Sequence, residues 1–153
     1  SNIFCLDINI STFKYWSKKI HVFGVDIKNE KKLNLIIDSI IKKHKISNFD
    51  IVIDDGSHNL SDILIGLKFL FKFVKNNGLY IIEDFKHPNY YSYNRNIDHI
   101  FIDEILSNIK NNKIFYSNII KEKEQIDLIK KIKKIEIYKG NLKDSDIGFI
   151  KKK

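Results

Sequence analysis

Apolar residues come in short blocks along this chain, and their periods change from strand-like to helix-like and back. The pattern is clearest over Phe49–Phe85. Ile51, Val52 and Ile53 form a short β-rich run that ends in Asp54-Asp55-Gly56-Ser57-His58. Leu60, Ile63, Leu64, Leu67, Leu70, Phe71 and Val74 then follow helical spacing up to Asn76-Asn77-Gly78, which reads as a helix stop. A second apolar run, Leu79–Ile82, ends in Glu83-Asp84. Strand, helix and strand with so long a connection form a βαβ unit, and its two strands are expected to be parallel. Asp54, Asp55, His58, Glu83 and Asp84 would then gather at the carboxyl edge of a sheet, where open α/β sheets bind ligands.

The remaining elements are read around this unit. Ile3–Ile8 is a buried strand ending near Asp7. Ile10–Lys18 is a helix, with Ser11 or Thr12 as its cap. His21–Ile27 is a second strand ending in Asp26, and Lys28–Lys32 a polar turn. The apolar positions of Lys31–Ile41 serve either a strand or a helix; we read Leu33–Ile37 as a third strand and Ser39–His44 as a helix. His87–Asn96, with the only proline and three tyrosines, has no clean period and reads as a loop over the carboxyl edge of the sheet. Its aromatics serve equally well as packing for the loop or as ligand contacts. Ile97–Ile109 and Glu122–Lys131 return to helical spacing. Ile132–Tyr138 and Asp146–Lys151 are strands of an antiparallel hairpin, with Lys139-Gly140-Asn141 as a turn between them. Lys151–Lys153 reads as a solvated tail. No repeat or linker divides residues 1–153, so one domain with a single core is expected.

Composition changes this picture little. The net charge is +8, but Arg95 is the only arginine. Sites that grip phosphates or base edges in two-pronged fashion favour arginine. Lysine-rich solvated faces are therefore the better reading, with a basic nucleic-acid module as the least favoured alternative. One cysteine, Cys5, excludes an internal disulfide and fits a reducing, cytoplasmic setting. No apolar run has the length of a membrane span and no secretory signal is visible. The chain holds no methionine, so it does not open at a start codon, and a preceding segment is expected.

The chemistry divides between two sets of strand ends. Asp26 follows Asp7 at a spacing of about 20 residues, as a ribose-binding carboxylate does in a Rossmann-like fold. A carboxylate can accept hydrogen bonds from both ribose hydroxyls. From spacing alone a solvated strand-end aspartate is the simpler reading. The usual glycine-rich turn is absent: Asn9-Ile10-Ser11-Thr12 stands in its place. Asn9 tolerates a left-handed backbone, whereas Ile10 does not and would crowd a close ligand. At the other strand ends, Asp55, Glu83 and Asp84 cannot all stay ionised at close quarters without a cation. Hard oxygen donors of this kind suit Mg²⁺, Mn²⁺ or Ca²⁺. Ser57 can cap the following helix. His58, three residues past Asp55, stands where a base toward a metal-held hydroxyl would stand.

DDGSH, a helix ending in a glycine turn, and then LYIIEDF together resemble the metal-dependent class I methyltransferases that use S-adenosylmethionine. The likeness is to the macrocin and mycinamicin sugar O-methyltransferases and the related proteins known as cephalosporin hydroxylases. The resemblance implies a Rossmann-like α/β sandwich, with a mostly parallel sheet, a C-terminal antiparallel hairpin and the family's N-terminal helices missing. It implies Mg²⁺ or Mn²⁺ on Asp55, Glu83 and Asp84, with His58 as general base. It puts S-adenosylmethionine beside Asp26, with Asp7, Asn9, Asp38 and Asp54 as further cofactor-side residues. LDINISTFKYW resembles the family's first strand and loop, and IKKIEIYKG with IGFIKKK its closing strands. The implied acceptor is a hydroxyl of a sugar or glycosylated small molecule. No nucleic-acid or membrane partner is implied, and a homo-oligomer is compatible. A non-catalytic relative with a degenerate cofactor loop is the alternative, carried by Asn9-Ile10.

Overall fold

A computed structural model of the chain describes residues 1–15, 17–86, 100–141 and 145–153. The chain divides into two compact units, Ser1–Ser47 and Asn48–Lys153.

The first unit holds two parallel strands and a helix. β1 (Ile3–Asp7) and β2 (Ile20–Gly24) pair in register from Ile3 with Ile20 to Asp7 with Gly24. The link between them was expected to be helical, but its described residues form turns. Side chains there take the backbone groups a helix would use: Asn9 Oδ1 accepts from the Ser11 N–H at 3.1 Å, and Ser17 Oγ from the Lys19 N–H at 3.2 Å.

α1 is a single helix, Glu30–His44, and corrects the expected turn, third strand and short helix. Leu33, Ile37 and Ile40 are buried and Leu35 is 64 % exposed, which is one apolar stripe of a helix and cannot be a strand's alternation. Asn29 caps the start by accepting from the Lys32 N–H at 3.0 Å. Glu30 lies in the first turn and Lys42 and Lys43 in the last, each sign complementing the helix dipole. Lys45, with φ of 53°, closes the helix in the left-handed region.

The second unit carries a mixed four-stranded sheet in the order β3-β4-β6-β5. β3 (Phe49–Asp54) runs parallel to β4 (Val74–Ile82), as the βαβ reading requires. β6 (Ile147–Lys152) is antiparallel to β4 and to β5 (Ile132–Tyr138), so the expected C-terminal hairpin is present. α2 (Leu60–Leu70) ends in a short 3₁₀ turn, Phe71–Phe73. α3 (Ile102–Lys110) and α4 (Glu122–Lys131) complete the unit. Leu60, Ile63, Leu64 and Leu67 of α2, and Ile102, Ile105, Leu106 and Ile109 of α3, share one buried cluster with Tyr80, Ile82, Phe85 and Ile150. Buried Gln125 of α4 donates to the carbonyls of Phe115 and Ile120 and accepts from the Phe115 N–H, so no polar atom of its amide is wasted in the core.

Asn76-Asn77-Gly78 does not end a helix. It lies inside β4, where the pairing jumps from Phe49–Val74 to Ile51–Leu79. Asn77 has φ of 61°, and a Cβ on Gly78 would stand 2.7 Å from the Asp50 carbonyl oxygen. The glycine therefore serves a close backbone approach in an irregular strand. The lysines at the end of β6 are not a free tail either: Lys152 Nζ donates to the carbonyls of Lys72 and Val74 at 3.0 and 2.6 Å. The His87–Asn96 loop lies outside the described residues. Among those described, no helix is long and apolar enough to cross a membrane.

Candidate metal and base site

β3 and β4 end level with each other. Asp54 pairs with Ile82, and the Glu83 N–H donates to the Asp54 carbonyl at 2.9 Å. Both chains then leave the sheet through acidic turns. Ligand atoms of Asp55, His58 and Asp84 lie within 4.8 Å of one another. His58 Nε2 is 3.7 Å from Asp55 Oδ1; the histidine side chain is 22 % exposed and the aspartate 60 %. His58 precedes α2, and its φ is 55°. Asp84 has φ of 46°. Two side chains of one small group thus stand on left-handed backbone, a costly conformation that concentrates at functional sites.

Glu83 is not in this group. β4 ends at Ile82, and it is Asp84, on its left-handed backbone, whose carboxylate comes to His58 and Asp55. Ser57 does not cap α2, whose N-cap position is Asn59. Its hydroxyl donates to Asp62 at 2.6 Å and accepts from the Asn59 N–H at 3.3 Å, bracing the turn.

The opposite edge of the Glu83–Lys86 segment is held by Asp146, just before β6. Its carbonyl accepts from the Phe85 N–H at 3.2 Å, and its buried carboxylate pairs with Lys86 at 3.2 Å. Asp54, expected on the cofactor side, turns its carboxylate inward. Burial pushes its pKa up to about 6, against the opposing pull of the Tyr80 hydroxyl and the Gly56 N–H. Tyr80 is fully buried and donates to Asp54 Oδ2 at 3.2 Å; its own pKa is raised, first by burial and then by the carboxylate. A Cβ on Gly66 of α2 would stand 2.9 Å from that same oxygen. Sequence reasoning missed Tyr80 and Gly66. The available signal was a glycine in the middle of an apolar helix, which usually has a packing reason.

The other expected cofactor residues belong to the first unit. Asp7 Oδ1 accepts from the Asn9 N–H at 2.7 Å, and its carbonyl from the Val25 N–H at 2.8 Å. Asn9 is engaged with Ser11. Asp26 lies two residues beyond β2, half-buried, and accepts from the Lys28 N–H at 2.9 Å. Asp38 is an exposed residue in mid-α1, so its expected place at a strand end is corrected. Ile10 Cδ1 lies 3.6 Å from where a Cβ on Gly24 would stand, beside the end of β2.

The carboxylates of Asp55 and Asp84 are oxygen donors that suit a divalent cation such as Mg²⁺ or Mn²⁺, and the His58 imidazole stands beside them.

The class this architecture defines is a methyltransferase-like α/β fold. The solved structures it resembles are of MycE, a methyltransferase from the mycinamycin biosynthetic pathway. Two crystal forms of MycE in complex with Mg and SAH align with TM-scores of 0.66, at 22% and 21% identity. MycE in complex with Mg, SAH and mycinamycin VI aligns with a TM-score of 0.63 at 20% identity. Each alignment covers 99% of this chain and 36% of the MycE chain. No protein-family model and no curated protein matches the sequence.

Proposed function

We propose that the chain is the core of a methyltransferase that uses S-adenosylmethionine and a divalent metal to methylate a hydroxyl of a sugar or glycosylated small molecule. The observation that carries this reading is the convergence of Asp55, His58 and Asp84 at the ends of β3 and β4. Support for it comes from the fold shared with MycE, a protein solved with Mg, SAH and mycinamycin VI.

Asp55 and Asp84 would hold the cation, with Glu83 beside them. A bound divalent cation lowers the pKa of a coordinated hydroxyl and fixes its orientation. The methyl donor supplies an electrophilic sulfonium methyl. His58 would be the base that accepts the hydroxyl proton when the methyl group passes from sulfur to oxygen. Asp55, 3.7 Å from Nε2, stabilises the imidazolium so formed. Asp26 has a carboxylate suited to the two ribose hydroxyls, with Asp7 and Asn9 shaping the neighbouring turn.

The expected outcome for His58→Ala is loss of methyl transfer to a panel of sugar acceptors, with S-adenosylhomocysteine affinity nearly intact by calorimetry. Undiminished transfer would remove the base assignment.

A second reading, a non-catalytic relative, is favoured by Ile10. Its side chain lies near Gly24 at the end of β2, and no glycine stands between Asp7 and Gly24 to let a ligand approach the backbone. Calorimetry with S-adenosylhomocysteine separates the two. Micromolar binding favours the enzyme, and cation binding without any cofactor binding favours the relative.

A further inference from the structure

Asp54 is joined to three elements at once. Through its carbonyl it holds the Glu83 N–H at 2.9 Å, at the end of β4. Its carboxylate accepts the Tyr80 hydroxyl at 3.2 Å and the Gly56 N–H. Against α2 there is no spare room: a Cβ on Gly66 would stand 2.9 Å from Asp54 Oδ2 and 3.0 Å from the Tyr80 hydroxyl oxygen. Asp55 lies between Asp54 and Gly56, and Asp84 follows Glu83. Each metal-side carboxylate is therefore next in the chain to a group that Asp54 holds.

We propose that Asp54, wedged between Tyr80 and Gly66, is a positioning residue that sets the turn of Asp55 and His58 against Asp84. A simple core filler would not need this arrangement. The carboxylate closes the turn onto Gly56, which fixes the backbone on both sides of Asp55. The carbonyl keeps the β4 end level with it, which fixes the approach of Asp84. Gly66 is the space that lets both happen, and an added methyl group there would press on the one carboxylate the turn depends on. Groups that hold ligands in place without touching the metal commonly change its affinity by tenfold or more.

The inference rests on the metal reading for its functional consequence and on geometry alone for its mechanical one, so two measurements test it. Mn²⁺ binding by calorimetry and amide hydrogen exchange at Gly56 and Glu83 are read in the whole chain, in Gly66→Ala and in Tyr80→Phe. Alanine ordinarily favours a helix over glycine, so Gly66→Ala has no propensity reason to weaken α2. The expected result is Mn²⁺ affinity about tenfold weaker and clearly faster exchange at both amides in each variant, with α4 amides unchanged. Unchanged exchange at Gly56 and Glu83 overturns the proposal. Faster exchange with full Mn²⁺ affinity also overturns it, because the contacts would then be structural only. If the unmodified chain binds no Mn²⁺, the metal reading fails, and amide exchange alone decides whether Asp54 sets the turn. Should Gly66→Ala not fold, Tyr80→Phe carries the test.

Discussion

Asp54 gives the most direct forecast at the scale of single residues. Its carboxyl has a raised pKa, about 6 against the ordinary 3.8 of an aspartate, so the folded chain binds its proton more tightly than the unfolded chain does. For an acid shifted upward, the stabilising contribution is complete below the unfolded value and is lost as pH rises through the folded one. Unfolding free energy should therefore fall between about pH 4 and pH 6, by at most about 1.4 kcal/mol for each pH unit from this group. Asp54→Asn should flatten that window in urea titrations; an identical pH slope in the variant contradicts the assignment. The gathering of Asp55, His58 and Asp84 was legible because DDGSH and ED are dense, short-range signals. Glu83 and the left-handed φ at His58 and Asp84 were not legible, because they depend on how each chain leaves its strand. Asp54 looked like its neighbour in sequence but faces the other way, since successive strand residues alternate.

Elements succeeded or failed by the clarity of their period. α4 and β5 lie where the pattern put them, at Glu122–Lys131 and Ile132–Tyr138, because each has one unambiguous spacing. The βαβ unit has the expected parallel pair. α1 was divided because Leu33–Ile37 holds four apolar residues in five, a density that also fits a short buried strand. The decision came from the cap at Asn29 and from the exposed Leu35, neither of which a short window reveals. Asn76-Asn77-Gly78 misled in the opposite way. Turn-favouring residues marked a real irregularity, but it interrupts a strand's pairing rather than stopping a helix. Gly78→Ala is expected to cost about 1–3 kcal/mol, as overpacking does, because the added methyl meets the Asp50 and Lys75 carbonyls at 2.7 and 2.9 Å. Chemical denaturation would check this, and a variant of unchanged stability would show that the irregularity gives way freely.

For the whole molecule, the resemblance to MycE extends over 99% of this chain but only 36% of that enzyme. An α/β fold was legible from the order of elements, but the sheet of β3–β6 is mixed rather than mostly parallel, and the division into two compact units was not legible because no linker marks it at Ser47. If the acidic turn binds a cation, folding and binding are linked. Mn²⁺ at about a hundred times its dissociation constant should raise unfolding free energy by about 2.7 kcal/mol, since a native-state ligand stabilises by mass action. A thermal melt with and without EDTA reads this directly. Asp55→Ala should remove the increment, and an increment that survives the substitution would place the cation elsewhere.

The position of β6 has a consequence for the order of events during synthesis. β4 lies between β3 and β6, and β6 pairs with it from Leu79–Lys151 to Ile82–Gly148. On a translating ribosome β3, α2 and β4 emerge together and can close early. One edge of β4 then stays unpaired until Ile147–Lys152 has been made. An open edge carrying Tyr80, Ile81 and Ile82 is a template for wrong pairing, and pairings distant in sequence form slowly. The strand that leads to Asp84 thus waits for the last hairpin, whose arrival both covers its open edge and delivers the Asp146 carbonyl to Phe85.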